Sequence, residues 1–418
     1  MRISTLQAFN NGVSGLQRNY SDVTRTQEQI STGKRLLTPA DDPVASVRLL
    51  QLGQEEAMNA QYKTGITAAK NSLTAEETIL TSVGNVIQRI RELAVQSGNG
   101  ALDSSDRGAI ASELAQREDE LLNLMNSRDA DGKYLFSGSM GDTQPFVRNA
   151  DGTYTYQGDQ GQRNVQIASS SFVGVGDSGH MAFENIVNAG RVTTNVDAAN
   201  AGDALISRGL VTDGAAYRQF QDSYPNGVGV RFTSDKDYYL YDLTAPADPP
   251  VAITGSAGSF DDESLSENIV KFGGVEFEIS GTPQNGDRFT LESDRTAEKR
   301  SLLNVVRDLR VGLEAAVDSP DGNFAARDVT AIALTNLDAA SAQVLSVQGK
   351  IGARLNVIDT TDTFISDVSL VNKAVQSELE DLDYPEALAR MSMQSTVLQA
   401  AQQSYVKISG LSLFNFLS

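Results

Sequence analysis

Proline, the residue that ends helices, is confined to a few places in this chain. The ten prolines stand at positions 39, 43, 145, 225, 246, 249, 250, 283, 320 and 385. Proline inside a helix removes a backbone donor and clashes with the preceding turn. Long helices can therefore run between 43 and 145, between 320 and 385, and after 385. Apolar periodicity fills these windows and the stretch before 39. Leu6, Phe9, Val13, Leu16, Tyr20, Val23, Gln27 and Ile30 recur at steps of three and four, a heptad seam with one polar break at Gln27. Tyr62, Ile66, Ala69, Leu73, Glu76, Leu80, Val83, Ile87, Ile90 and Ala94 repeat the pattern, broken at Glu76. Ile110, Leu114, Leu121 and Leu124 mark a third helix. Leu337, Ala340, Val344, Val347, Ile351 and Ile358 form another seam, and Ala387, Met391, Leu398, Ala401, Tyr405 and Ile408 the last. Stripes at this spacing are core or helix–helix contacts.

From about 130 to 295 the character changes to glycine turns and short alternating runs. Asp151-Gly152 between "PFVRNA" and "TYTYQG" is a hairpin signal. "GVEFEIS" and "DRFTLES" flank a second turn, and "APADPP" reads as a rigid loop. The expected fold is mainly α with a β-rich insert. Matched helices at the two chain ends pair as a coiled coil, placing the insert at the far pole. The expected division is 1–43 with 376–418, 44–185 with 286–375, and 186–285.

Chemistry finds little support. There is no cysteine and one histidine, His180. Thiolate chemistry and cysteine-ligated metal are thus excluded. "QISTGKRLLTPADDPVAS" (29–46) holds a Gly-Lys pair, but Glu28 stands where a P-loop needs glycine and Arg35 follows the lysine. Its Asp41-Asp42 pair has no nearby histidine and reads as a helix start, with Asp42 capping and Pro43 at the first helical position. "DADG" (129–132) lacks the ligand order of a calcium loop and reads as a turn. Tyr238, Tyr239 and Tyr241, with Asp237 and Asp242, suggest either a small-molecule groove or a half-exposed strand. No catalytic residue, cofactor or metal is expected. The net charge of −20 and the absence of tryptophan argue against nucleic acid as a partner. No stretch is apolar enough for membrane insertion, and the start "MRISTLQAF" lacks a secretory-signal layout, which by itself suggests the cytoplasm.

"MRISTLQAF", "QISTGKRLLTPADDPVAS", "GKYLFSG" (132–138) and the tail from "ELEDLDYPEALARM" to "ISGLSLFNFL" resemble the bacterial flagellin superfamily, and within it the proteins that join hook to filament. The likeness covers both ends and says little about 190–270. It implies a structural protein, secreted after a transient cytoplasmic pool and built into the flagellum. Its partners would be hook-associated protein 1 on the hook side, flagellin, copies of itself, an export chaperone and the type III export apparatus. It makes Leu6, Phe9, Val13, Leu16, Tyr20, Val23, Ile30, Leu398, Ala401, Tyr405, Ile408 and Leu411 a subunit interface. It makes Ser31, Gly33, Lys34, Arg35, Pro39, Asp41, Asp42 and Pro43 an elbow between an inner and an outer helix. Lys34 and Arg35 would then meet the last carbonyls of the first helix. The terminal helices, poor in charge and rich in Ser, Thr, Asn and Gln, are expected to be disordered in the monomer and to order on assembly. Two competing readings are a flagellin filament subunit and a cytoplasmic coiled-coil adaptor. Pro43 and "SLFNFL" count against the first; stable helices in the isolated chain would favour the second.

Overall fold

The structure, a computed structural model, describes residues 5–244, 249–260 and 268–417. The helices are α1 (Thr5–Thr32), α2 (Pro43–Ser97), α3 (Ser104–Met125), α4 (Gly214–Ser223), α5 (Leu302–Ala315), α6 (Pro320–Glu380) and α7 (Tyr384–Leu417). The long helices of the second half of the chain and α2 and α3 fall in the proline-free windows, while the short helices α4 and α5 lie outside them. Pro43 and Pro320 each occupy the first helical position, where the missing N–H costs nothing. Between α3 and α5 lie the strands. In chain order they are β1 (Phe146–Arg148), β2 (Tyr154–Tyr156), β3 (Arg163–Ala168), β4 (Ser171–Val175), β5 (Ile186–Val187), β6 (Val192–Val196), β7 (Leu205–Ile206) and β8 (Leu210–Val211). After α4 come β9 (Val228–Phe232), β10 (Asp237–Asp242), β11 (Gly258–Ser259), β12 (Ile269–Phe272), β13 (Val275–Ser280), β14 (Arg288–Ser293) and β15 (Lys299–Arg300). The chain is thus mainly α with a β-rich insert. Among the described residues no helix is long and apolar enough to cross a membrane.

Contacts divide the chain into two units, Met1–Ile66 with Ile167–Ser170 and Asp359–Ser418, and Thr67–Gln166 with Ser171–Ile358. In the first, α1 packs along α7. In the second, α3 packs on α5, and the α2 seam residues Leu73, Leu80, Val83, Ile87 and Ile90 are fully buried. Arg107 and Glu118 of α3 are both sealed into this bundle. Arg107, at the start of α3, donates to the carbonyls of Leu102 (2.7 Å) and Ala316 (3.0 Å), to Asn323 and to Asp318. Glu118 on α3 accepts from Arg310 Nε on α5 (2.8 Å) and from the Tyr154 hydroxyl (2.5 Å), so the β1–β2 hairpin is stitched to both helices. That hairpin turns at Asp151-Gly152 as its sequence indicates, pairing Phe146 with Tyr156.

The insert has its own core. A five-stranded antiparallel sheet, β11-β10-β9-β14-β6, and a smaller one built on β12-β13-β7 bury Val230, Phe232, Phe277, Ile279 and Phe289 together with Tyr217 and Phe220 of α4. The strands 275–280 and 288–293, which flank one turn in sequence, do not pair. β13 bonds β12, β7 and β8, while β14 bonds β6 and β9. The tyrosine run 238–241 is strand β10. Tyr241 is buried over Gly229 of the neighbouring strand, where a Cβ would lie 2.1 Å from its ring, and the Tyr239 hydroxyl donates to the Pro250 carbonyl. Within "APADPP", residues 245–248 lie outside the described residues. "DADG" is a turn, with Asp129 Oδ1 accepting the amides of Asp131 and Lys133 and Gly132 at φ 77°.

Candidate assembly site: the paired termini and their elbow

Helices α1 and α7 run antiparallel. Near one end of the pair, Tyr405 rests against Gly12, 3.4 Å from where a Cβ would stand. Further along, the Thr26 hydroxyl, buried in this contact, lies 2.8 Å from Gln394 Oε1. Asn19 and Asp22 line a small pocket with Met393 and Val397. At the far end Gly33 faces the Tyr384 hydroxyl. Of the seam residues, Val13, Leu16, Val23 and Ile30 on α1 and Leu398, Ala401 and Tyr405 on α7 are half-buried in the single chain. Tyr20 is 64% exposed in the single chain. The side chains of Leu6, Phe9, Ile408 and Leu411 lie outside the described residues.

The elbow follows from the residues that form it. Ser31 sits in the last turn of α1, and Gly33 ends that helix with φ 71°, a left-handed backbone that suits glycine. Its amide still closes the last turn on the Gln29 carbonyl (2.9 Å). Pro39 lies in the exposed turn that follows. The two aspartates have separate tasks. Asp42 Oδ1 accepts the Ala45 amide (3.0 Å), capping α2 just ahead of Pro43. Asp41 Oδ2 accepts the amides of Leu37 (2.9 Å) and Thr38 (3.0 Å), and its Oδ1 pairs with Arg25 (2.6 Å). Those donors, the Thr38 amide first, hold the Asp41 carboxyl below its ordinary pKa.

One expectation for the elbow is overturned. Lys34 and Arg35 do not meet the carbonyls at the end of their own helix. The left-handed turn at Gly33 swings the chain away from α1 and onto the end of α6. There Lys34 pairs with Glu380, whose hydrogen bond and charge raise the lysine pKa. The Arg35 guanidinium donates to the Leu379 carbonyl (2.9 Å), and its amide donates to the Glu380 carbonyl (2.7 Å). Leu382 returns an amide to the Gly33 carbonyl (3.0 Å), and Lys34 and Asp381 form an isolated antiparallel bridge. The two cations therefore serve the C-terminal end of α6, where the helix dipole favours positive charge. Gln29, mostly buried, completes the joint by donating to the Arg35 carbonyl (2.6 Å). Sequence reasoning missed Gln29, Thr26, Glu380, Leu382, Tyr384 and Gln394. The available signal was charge complementarity between "GKR" at 33–35 and "ELEDLD" at 378–383.

The model of the bacterial flagellin N-terminal helical region matches residues 3–140, and that of the C-terminal helical region matches 334–417. Flagellar hook-associated protein 3 of Escherichia coli K12 is 27% identical over 414 residues, 99% of each chain. The solved structure of flagellar hook associated protein-3 from Legionella pneumophila superposes with a TM-score of 0.65 at 28% identity, over 79% of this chain and 98% of that one. The flagellar filament 41 kDa core protein of Borreliella burgdorferi is 32% identical over 134 residues, which is 31% of this chain and 37% of that protein.

Proposed function

We infer that this chain, which belongs to the bacterial flagellin superfamily, is a structural protein of the bacterial flagellum that forms the junction layer between the hook and the filament. The observation that carries this reading is the extent of likeness. Similarity to hook-associated protein 3 runs end to end, through the insert as well as the termini. Similarity to a filament protein stops after about a third of the chain. The junction role requires mating with different neighbours on its two sides: a hook-side junction protein (hook-associated protein 1) and flagellin, with further copies of itself beside it. The α1–α7 pair and its elbow are the surfaces we assign to that work. Most of their described residues are exposed or only half-buried within one chain, and part of the contact is polar, so ordering on assembly would add to the pairing. Passage through the type III export apparatus with a chaperone suits such ends. In this reading 186–285 forms an outer domain, and no residue is assigned a catalytic role.

Electron microscopy of gold-labelled protein on flagellated cells tests the assignment. Label confined to the hook–filament boundary is expected. Label along the whole filament would make the chain a filament subunit, and label confined to the cytoplasm would make it an adaptor.

A further inference from the structure

The α2 seam is broken at one position, and the structure buries the break. Glu76 stands between Leu73 and Leu80, and all three are fully buried. Its Oε1 accepts the Asp177 amide (2.9 Å), while Oε2 is buried with no hydrogen-bond partner. The Asp177 carboxylate is itself sealed and fully engaged. Arg354 on α6 donates to both of its oxygens (2.8 and 3.0 Å), and Gln162 donates to Oδ1 (2.7 Å). Arg354 also reaches the Gly174 carbonyl (3.3 Å). The charged groups bearing on Glu76 are therefore Asp177 from the 176–179 loop that follows β4 and Arg354 from α6. Of the other nearby cations, Arg163 lies beside Gly176 and pairs with Asp129 (3.7 Å), and Lys350 on α6 faces the Met181 sulfur. Glu77, the neighbour on α2, is not buried. Two carboxyl groups thus share one guanidinium in a closed space, and Asp177 holds that guanidinium in two bonds. Charge balances only when Glu76 is neutral.

We propose that Glu76 is a proton-operated latch: neutral, it seats the 176–179 loop between α2 and α6, and ionised, it releases that loop. The loop matters to its surroundings. Its last residue, Gly179, donates to the Phe136 carbonyl (2.8 Å) and lies against the Phe146 ring. Burial, with the Asp177 charge adding to it, pushes the Glu76 carboxyl up to about 8 from 4.5. A raised folded-state pKa makes the contribution to stability full below 4.5. It declines as pH rises and is gone above about 8.

The test uses the full-length protein. Exchange of the Asp177 amide is followed from pH 5 to pH 9 by mass spectrometry and corrected for intrinsic base catalysis. In the unmodified protein, protection is expected to fall at least about tenfold between pH 5 and pH 8 and then level off. In Glu76→Gln, which stays neutral at every pH, it is expected to stay flat. Constant protection in the unmodified protein, or a parallel fall in Glu76→Gln, overturns the latch. Infrared titration of the unmodified protein gives a reading that does not depend on the variant folding. A Glu76 carboxylate band already complete at pH 6 overturns the proposal, and a neutral carboxyl band persisting to pH 7 supports it.

Discussion

Replacing Gly33 by alanine tests whether the elbow is set by backbone conformation. At φ 71° the residue lies where an added Cβ crowds the carbonyl, which costs an ordinary residue about 1–2 kcal/mol. The new Cβ would also stand 3.0 Å from the Tyr384 hydroxyl. That side chain is nearly half exposed, so it can swing aside and the contact adds little. Gly33→Ala should then weaken the joint by about 1–2 kcal/mol, roughly a 5- to 30-fold change in its opening equilibrium. The direct assay is exchange of the Arg35 and Leu382 amides, which donate across the joint to Glu380 and Gly33. Both should lose protection together, whereas amides of α3 should not change. Gly33→Asn should be milder, because asparagine tolerates the left-handed region. Adding Tyr384→Phe removes the crowding oxygen but leaves the backbone cost. Full rescue by that second change would show that contact, not conformation, dominates, and unchanged exchange in Gly33→Ala would refute the account of the elbow.

Other outcomes follow from the same structure. Asp42→Ala removes one cap from α2 and should cost about 1 kcal/mol, read as a shift in the urea midpoint. Glu118→Ala leaves Arg310 and Tyr154 facing a buried gap and should cost about 3–5 kcal/mol in thermal unfolding of the full chain. A cost below 1 kcal/mol would mean that water replaces the carboxylate without penalty. Leu398→Asp puts a charge on the half-buried face of α7 and should release flagellin into the medium, while Gln403→Asp, on the exposed face, should swim normally. Equal shedding by the two variants would move the interface elsewhere.

The helices were legible because proline and heptad spacing are local signals. Pro43 and Pro320 mark helix starts to the residue, and Asp42 is the cap it reads as. The Asp151-Gly152 hairpin was legible for the same reason. What sequence missed depends on residues far apart in the chain. Nothing near Arg35 announces Leu379 and Glu380, and the end of its own helix is the nearer partner in sequence. Helix α4 lies among glycines in a strand-rich stretch, and Tyr217 and Phe220 commit it only because a sheet is there to cover. Strands 275–280 and 288–293 look like a hairpin until Gly281, at φ 95°, turns the chain toward another sheet. Glu76 was visible as a flaw in the seam, but its meaning rests on Asp177 and Arg354.

The elbow's cross-links also impose an order in time. Arg35 bonds Leu379 across 344 residues of chain, and Thr26 bonds Gln394 across 368. Contacts of such high contact order form only after the intervening segment has been closed into a loop, and local structure can form sooner. A chain emerging N-terminus first, from a ribosome or from a narrow pore, has made its elbow sequence almost at once but has nothing to close it on. Helices α2 and α3 and the β-rich insert can fold while it waits. Only when residues 379–394 arrive can the first thirty-five residues be fastened, so the earliest-made part of the molecule is among the last to become structure.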